Sequence, residues 1–423
     1  MPVARRVAWW VLTLPEHTRI AWRNVLRNKR RTAITVSAIA SGSVALITFG
    51  GYMDYAFWGL RETTIRNHLG HLQIARTGHA EKRLSHPMSV LLEGSQAEAV
   101  ERILLGWSEV EGVSRRLEIS GLIGNGETTL PFVGRGMEPE KEGAALSFLT
   151  IASGAPLATS AAREILVAKG LAAALDVKAA DRVILLTTTL GGTINGMDVT
   201  VAGTFETGAE DFDQRAILLP LPMAQRLVQS DRVDRVVVLL TDTDLTDPVA
   251  RRLSDEIERG GWPLEVRRWT ELASFYHRVV RVYEGMYRFV RVVIALIVVL
   301  SILNTMLMAI FERTREIGTL MALGVGRPVV AELFLLEGLL VGLVGAALGT
   351  VAGVGTCHLM NALGGIAMAP PPGASRGYVV FLNVVPRVLL LTFASSVLTA
   401  LVSSLYPALR ASRMRVAAAL RYT

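Results

Sequence analysis

Hydrophobic positions along this chain follow two patterns. Between about residues 58 and 288 they come in short bursts broken by polar residues. On either side they fuse into four long runs, each near the ~20 residues that a helix needs to cross a bilayer. Ala33 to Met53 is 21 residues without a charge. The others are Val292 to Phe311, about Ala331 to Cys357 with Glu332 and Glu337 near its start, and Val388 to Leu409. The pattern predicts an α-helical membrane protein with four transmembrane helices in a 1+3 layout and one α+β domain. The expected segments are an N-terminal amphipathic helix (1–31), a first span (32–57), the domain (58–288) and a second span (289–311). A connecting helix (312–328), a third span (329–357), a link (358–387), a fourth span (388–409) and a tail (410–423) follow.

Within the domain, "HLQIA" (71–75) reads as a strand, "SQAEAVERILLGW" (95–107) as a helix and "GVSRRLEISGLI" (112–123) as a strand. Short strands come next: "TTLPFVGRG", "EILVAKG", "DRVILLTTTLGGTINGMDVTVAGTF" and "AILLP". Gly191-Gly192 and Asn195-Gly196 read as turns. The helix "PMAQRLVQS", the strand "DRVVVLL", the helix "DPVARRLSDEIERG" and the strand "LEVRRW" close the domain. This is an α/β unit carrying a β-rich insertion at about 122–215.

Charge orients the spans. Residues 1–31 hold eight basic side chains: Arg5, Arg6, Arg19, Arg23, Arg27, Lys29, Arg30 and Arg31. The tail adds Arg410, Arg413, Arg415 and Arg421, and the 312–328 stretch adds Arg313, Arg315 and Arg327. The link between the third and fourth spans has only Arg376 and Arg387. Basic excess marks the cytoplasmic side, so both termini and 312–328 are expected inside and the domain outside. The net charge of +7 is then mostly membrane-surface bias, with no basic face interleaved with aromatics for a nucleic acid. Arg5-Arg6 before "VAWWVLTL" hints at an export signal, but no small-residue cleavage pattern follows; Trp9, Trp10 and Trp22 favour an interfacial helix. The single cysteine, Cys357, cannot form an internal disulfide.

Catalytic chemistry is sparse. His68, His71, His79 and His86 lie close in sequence, yet their spacing matches no ligand set. Glu210, Asp211 and Asp213 lack the order of a calcium loop. G-x-S-x-G, H-E-x-x-H and G-x-x-x-x-G-K-[ST] are all missing, so neither metal nor nucleotide hydrolysis is assigned to this chain.

The stretch "FERTREIGTLMALGVGRP" (311–328) is the most informative. Glu312, Arg313, Arg315 and Glu316 fall within five positions between two apolar runs. Each charge at mid-bilayer costs about 2.5–3.5 kcal/mol, so the segment must emerge from the membrane. It keeps helical spacing, with Ile317, Leu320, Met321 and Leu323-Gly324 placing apolar groups on one side, Leu320, Ala322 and Leu323 offering a side that needs a cover, and Gly324, Gly326 and Pro328 as a stop. It reads either as a docking helix or as a plain surface turn. In the third span Gly338, Gly342, Gly345, Gly349 and Gly353 recur nearly every fourth residue, a small-residue face suited to a seam with a second copy or to packing within the chain. Glu337 is the one acid within that span beyond its first turns, better suited to the interface than to a transport path.

The segment 311–349 resembles the coupling helix and third span of MacB/LolC/FtsX-type ABC transporter permeases, the mechanotransmission or type VII group. "YPALRASRMRVAAALRY" (406–422) is similar to their C-terminal signature, and Ala21-Trp22-Arg23-Asn24 before "NKRRTAIT" to their entry. "GHLQI" (70–74) and "AKGLAAALDVKAADRVILL" (168–186) resemble their outside domain. The resemblance covers the whole chain in order. Val416 stands where the family usually has Pro, and Ala180-Asp181 where it has Gly-Asp.

The resemblance implies a MacB-like periplasmic core domain and a dimer, with an identical or a different second permease copy. It implies a partner, a cytoplasmic ABC ATPase that holds ATP and Mg, with no cofactor in this chain. Glu312, Arg313, Arg315, Glu316, Gly318, Leu320, Ala322, Leu323 and Gly324 would then form the ATPase-coupling segment. The expected protein is multi-pass in the bacterial cytoplasmic (inner) membrane, among membrane lipids. It would move a lipoprotein, lipid or peptide, with a periplasmic adaptor or carrier as a further partner. An FtsX-like signalling subunit that activates a cell-wall hydrolase is the alternative; a membrane-anchored enzyme is disfavoured.

Overall fold

The computed structural model describes residues 17–82, 90–142, 150–207, 210–368 and 378–420. In chain order the main helices are α1 (17–27), α2 (Lys29–Thr63), α3 (Gly94–Leu105), α4 (Lys169–Leu175), α5 (Leu221–Val228) and α6 (Thr246–Arg259), then α7 (Ser274–Glu312), α8 (Thr314–Ala322), α9 (Arg327–Ala362) and α10 (Pro386–Ser412). The strands are β1 (Leu72–Arg76), β2 (Val110–Gly124), β3 (Thr129–Met137), β4 (Thr150–Gly154), β5 (Glu164–Ala168), β6 (Arg182–Thr188), β7 (Ile194–Glu206), β8 (Ala216–Pro220), β9 (Arg235–Leu240) and β10 (Leu264–Arg268). The chain divides into a helical unit, built chiefly of residues 1–57, 280–367 and 379–423, and a globular unit of 58–279 with 368–378.

The globular unit is one sheet used twice. At one end β10, β1, β9 and the first half of β2 form an antiparallel sheet. The apolar faces of α3 and α6 cover it through Ala97, Val100 and Leu104 and through Val249, Leu253 and Ile257. The second half of β2 pairs with β3, and Gly121–Gly124 pair with β6. From there the ladder runs β3-β8-β5-β7 and returns through β6 to β2, closing a six-stranded ring. Closure removes the open edges that would otherwise invite association. Phe132, Ile165, Val183, Leu185, Val201 and Ile217 fill its interior. The ring draws on residues 117–220, wider than the expected insertion of 122–215, because β2 serves both sheets.

One turn expectation is corrected. Asn195-Gly196 lies inside β7, opposite Thr187 and Leu186, and the hairpin turn is at residues 189–193, with Gly192 at φ +84°. A Cβ at Gly196 would come within 2.8 Å of Leu186 Cδ2, the far end of an exposed side chain. Helix α4 and strand β4 carry no clear periodic signal in the sequence. Ala180 occupies φ +76°, a conformation that glycine adopts without strain.

Two of the four histidines are fixed in the core rather than gathered at a metal. His71 Nδ1 accepts from the Leu240 N–H at 3.0 Å, so Nε2 carries the proton and donates to Thr243 Oγ1 at 3.1 Å. Burial pushes its pKa down to about 4, which keeps the ring neutral. His79 Nε2 lies 2.7 Å from Asp234 Oδ1. No side-chain geometry is described for His68, Glu210 and Asp211, and His86 lies outside the described residues. Among the described residues no group of three or more His, Cys, Asp or Glu side chains could hold a metal ion. Arg116 and Glu142 form a buried two-point ion pair at 3.0 and 2.9 Å. Burial alone would raise the Glu138 carboxyl, but hydrogen bonds from Arg115 and Lys141 outweigh it and lower its pKa.

In the helical unit α2, α7, α9 and α10 are each long and apolar enough to cross a membrane. They run past the expected spans: α7 begins at Ser274 and α2 continues to Thr63. Val25, Ile39, Val298, Ile302, Met306, Val341 and Ala400 pack along the axis. Thr35 donates to Thr305 at 2.8 Å, and Ser43 meets Ser396 at 3.1 Å; such hydroxyl pairs hold helices together where hydrophobicity cannot.

The α9 glycines set a row of close approaches. A Cβ on Gly338 would lie 2.5 Å from Ser404 Cβ, and one on Gly342 2.6 Å from Ala400 Cβ, both on α10. Gly345, Gly349 and Gly353 face Ile39, Ser43 and Ile47 of α2 at 2.8, 2.6 and 3.0 Å. The stripe therefore packs on the chain's own helices. Of the two readings that the sequence left open for these five positions, the contacts described here are those of packing within the chain. Overpacking such a site costs about 1–3 kcal/mol. Gly342→Leu should accordingly lower the melting temperature of the detergent-purified chain, whereas Gly355→Leu, with nothing within 4 Å of its Cβ, should leave it nearly unchanged. Equal melting of the two variants would contradict this packing.

Candidate functional site

The connecting segment is a built corner. Helix α7 ends at Glu312, and Arg313 leaves helical geometry at φ −106°, ψ 11° before α8 starts at Thr314. Gly324 at φ +96° ends the turn that follows α8, and Pro328 sits in the first turn of α9. One face of α8 is sunk into the bundle: Ile317 is 5% exposed and packs with Ile310, Val330, Phe334, Ala408 and Ala411, while Thr314 and Gly318 are also buried.

The rest of the α8 surface is bare. Leu320 is 42% and Leu323 79% exposed, and Arg315, Thr319 and Ala322 lie open beside them. Leu320 on this nine-residue helix and Leu323 at its C-cap, next to a charged neighbour, form the type of apolar-and-rim surface that a partner groove covers.

The four charges play different parts. Arg313 is buried, donating to the Asn24 carbonyl at 3.3 Å, with Nη1 3.5 Å from Glu337 Oε2. Glu312, Arg315 and Glu316 are exposed, so Arg313 is the one of the four that turns inward. Glu312 accepts from Arg31 at 2.6 Å, and Glu316 from Arg27 at 2.7 Å. The hydrogen bond from Arg27 holds the Glu316 carboxyl below the usual carboxylate range, although so exposed a pair contributes under about 1 kcal/mol. His17 Nδ1 lies 3.2 Å from Glu332. The first described residues, 17–31, thus strap the α7–α8 corner to α9. In the sequence Arg27, Arg31 and Asn24 show only as general basic and polar character. For Arg313 the signal is present: Ile310, Arg313 and Ile317 are spaced i, i+3, i+7, which is one helix face.

Residues 32–256, more than half of the chain, match the MacB-like periplasmic core domain, and residues 288–416 match the FtsX-like permease C-terminal region. A lipoprotein-releasing system transmembrane protein LolC of Xylella fastidiosa is 29% identical over 61% of this chain and 64% of its own length. A macrolide export ATP-binding/permease protein MacB of Hyphomonas neptunium is 27% identical over 54% of this chain and 34% of its own. The chain thus spans less than two thirds of the length of these relatives. The periplasmic region of MacB from Actinobacillus actinomycetemcomitans aligns with 50% of this chain and 95% of its own length, at 12% identity and a TM-score of 0.39. The chain belongs to the membrane-permease family that joins a MacB-like periplasmic core domain to an FtsX-like permease C-terminal region.

Proposed function

We propose that this chain is the permease subunit of an ABC transporter, driven by a separate ATPase that docks on α8. The observation that carries the reading is the split character of α8, with Ile317 fixed in the bundle and Leu320 and Leu323 bare. A partner pressing on the bare face moves the buried face, and with it α7 and α9. The chain has no phosphate-cradling Gly-rich loop with its Lys, so ATP and Mg belong to the partner and the isolated chain does not hydrolyse ATP. The basic residues around α1 and α8 support a cytoplasmic position for that end, in a bacterial inner membrane, with the globular unit outside. Relatives named for lipoprotein release and macrolide export support a hydrophobic or amphiphilic cargo; the proposal adds a second permease copy and an adaptor or carrier protein to receive that cargo.

Truncating a buried interface anchor costs about 2 kcal/mol or more, whereas a rim charge costs less. Leu320→Asp should release the ATPase on co-purification or uncouple its hydrolysis from transport, and Arg315→Ala should do so far more weakly. Full binding and full activity of Leu320→Asp would leave α8 a plain surface turn. For orientation, reporter fusions after residues 325 and 423 should report cytoplasm, and a fusion at 150 the outside. A cytoplasmic signal at 150 would overturn the topology.

A further inference from the structure

A second feature of the helical unit is a lateral groove between α2, α7 and α10. It is about 490 Å³, within the ~300–1,000 Å³ of ordinary small-molecule sites. Its walls are Ile39, Leu46, Val298 and Leu398, and Arg288 and Arg291 line one end. The hydroxyls in the walls are already engaged: Ser43 with Ser396, Ser395 with the Thr392 carbonyl, Thr399 with the Ser395 carbonyl. Its polar demand is therefore confined to the two guanidiniums. They are one helical turn apart on α7, both exposed, and neither has a hydrogen-bond or ion-pair partner among the described residues.

Depth along the helix identifies the occupant. At ~1.5 Å per residue, the twenty residues from Arg291 to Phe311 span roughly 30 Å, the thickness of the hydrocarbon core. The guanidiniums therefore sit at headgroup level, at the bilayer surface opposite the α8 corner. The seven residues from Arg291 to Val298 cover about 10 Å, most of one leaflet. An apolar trough that reaches most of the way through one leaflet, capped by two unpaired arginines, matches one acyl chain below one phosphate.

We propose that this groove binds an anionic membrane glycerophospholipid, its phosphate on Arg288 and Arg291 and one acyl chain along Ile39, Leu46, Val298 and Leu398. Arginine suits the task because its planar fork holds phosphate oxygens two at a time. The site is independent of ATPase docking on α8.

The test uses the full chain in nanodiscs holding equal phosphatidylglycerol and phosphatidylcholine, re-extracted in mild detergent, with retained lipid measured by mass spectrometry. The wild type should retain phosphatidylglycerol preferentially. The double variant Arg288→Gln/Arg291→Gln should lose about tenfold of that preference, the loss of one to two charge-assisted hydrogen bonds. Ala295→Phe, which fills the groove and spares both arginines, should lose the bound lipid too. Soluble glycerol phosphate should not displace it. Melting temperature and ATPase co-purification should stay at wild-type level in all variants, which separates failure here from failure of the docking proposal. Equal retention of both lipids by the wild type overturns the site, as does unchanged retention by the double variant. Displacement by glycerol phosphate would make it a free-phosphate site and also overturn it. A double variant that changes oligomer size while lipid retention holds would give the groove to a second copy and likewise overturn the lipid site.

Discussion

The ion pair between Arg313 and Glu337 is the constraint from which the helical unit follows. Glu337 lies ten residues into α9, on the face with Val330, Phe334 and Val341 that turns inward. An unpaired charge there would be costly, up to the roughly 2.5–3.5 kcal/mol of a mid-bilayer position. Arg313 can reach it because the backbone leaves helical geometry between α7 and α8. That break fixes the direction in which α8 departs. The break, the buried arginine and the acid in the third span are one feature.

From that corner outward, the rest of the bundle is a matter of close approach. The α9 glycines let α10 on one side and α2 on the other come nearly to backbone contact. Small-residue seams of this sort leave little room for sliding. The strap from Arg27 and Arg31 to Glu316 and Glu312 adds lateral hold. A force applied to the bare leucines of α8 therefore meets a stiff path into α9. The many large apolar side chains exposed along α7 and α10, such as Val292 at 66% and Leu390 at 69%, are natural where lipid is the solvent.

Much of this was legible in one dimension. Spans show because some twenty apolar residues in a row have few other uses, and the strands of the globular unit show through alternation and β-branched content. Ring closure was hidden: it depends on β2 pairing with β9, β3 and β6 in turn, and non-local pairings leave no local mark. Asn195-Gly196 misled because the same dipeptide suits a hairpin turn and a strand position opposite Leu186. Arg313 and Arg315 look alike in the sequence, yet one is buried and the other exposed; only their phase against Ile310 and Ile317 tells them apart. The glycine stripe was visible, but its partners, two different helices of the same chain, were not.

The central claim is that the Arg313–Glu337 pair anchors α8 to the spans. A double-mutant cycle with Arg313→Gln, Glu337→Gln and both tests it most directly, read as thermal stability of the purified chain and as retention of the ATPase. Each single change strands a buried partner, which costs about 3–5 kcal/mol at worst. The account predicts that the double variant is less damaged than the sum of the singles, with a coupling energy of about 1 kcal/mol or more and a parallel recovery of ATPase retention. Effects that add to within about 0.5 kcal/mol would contradict it.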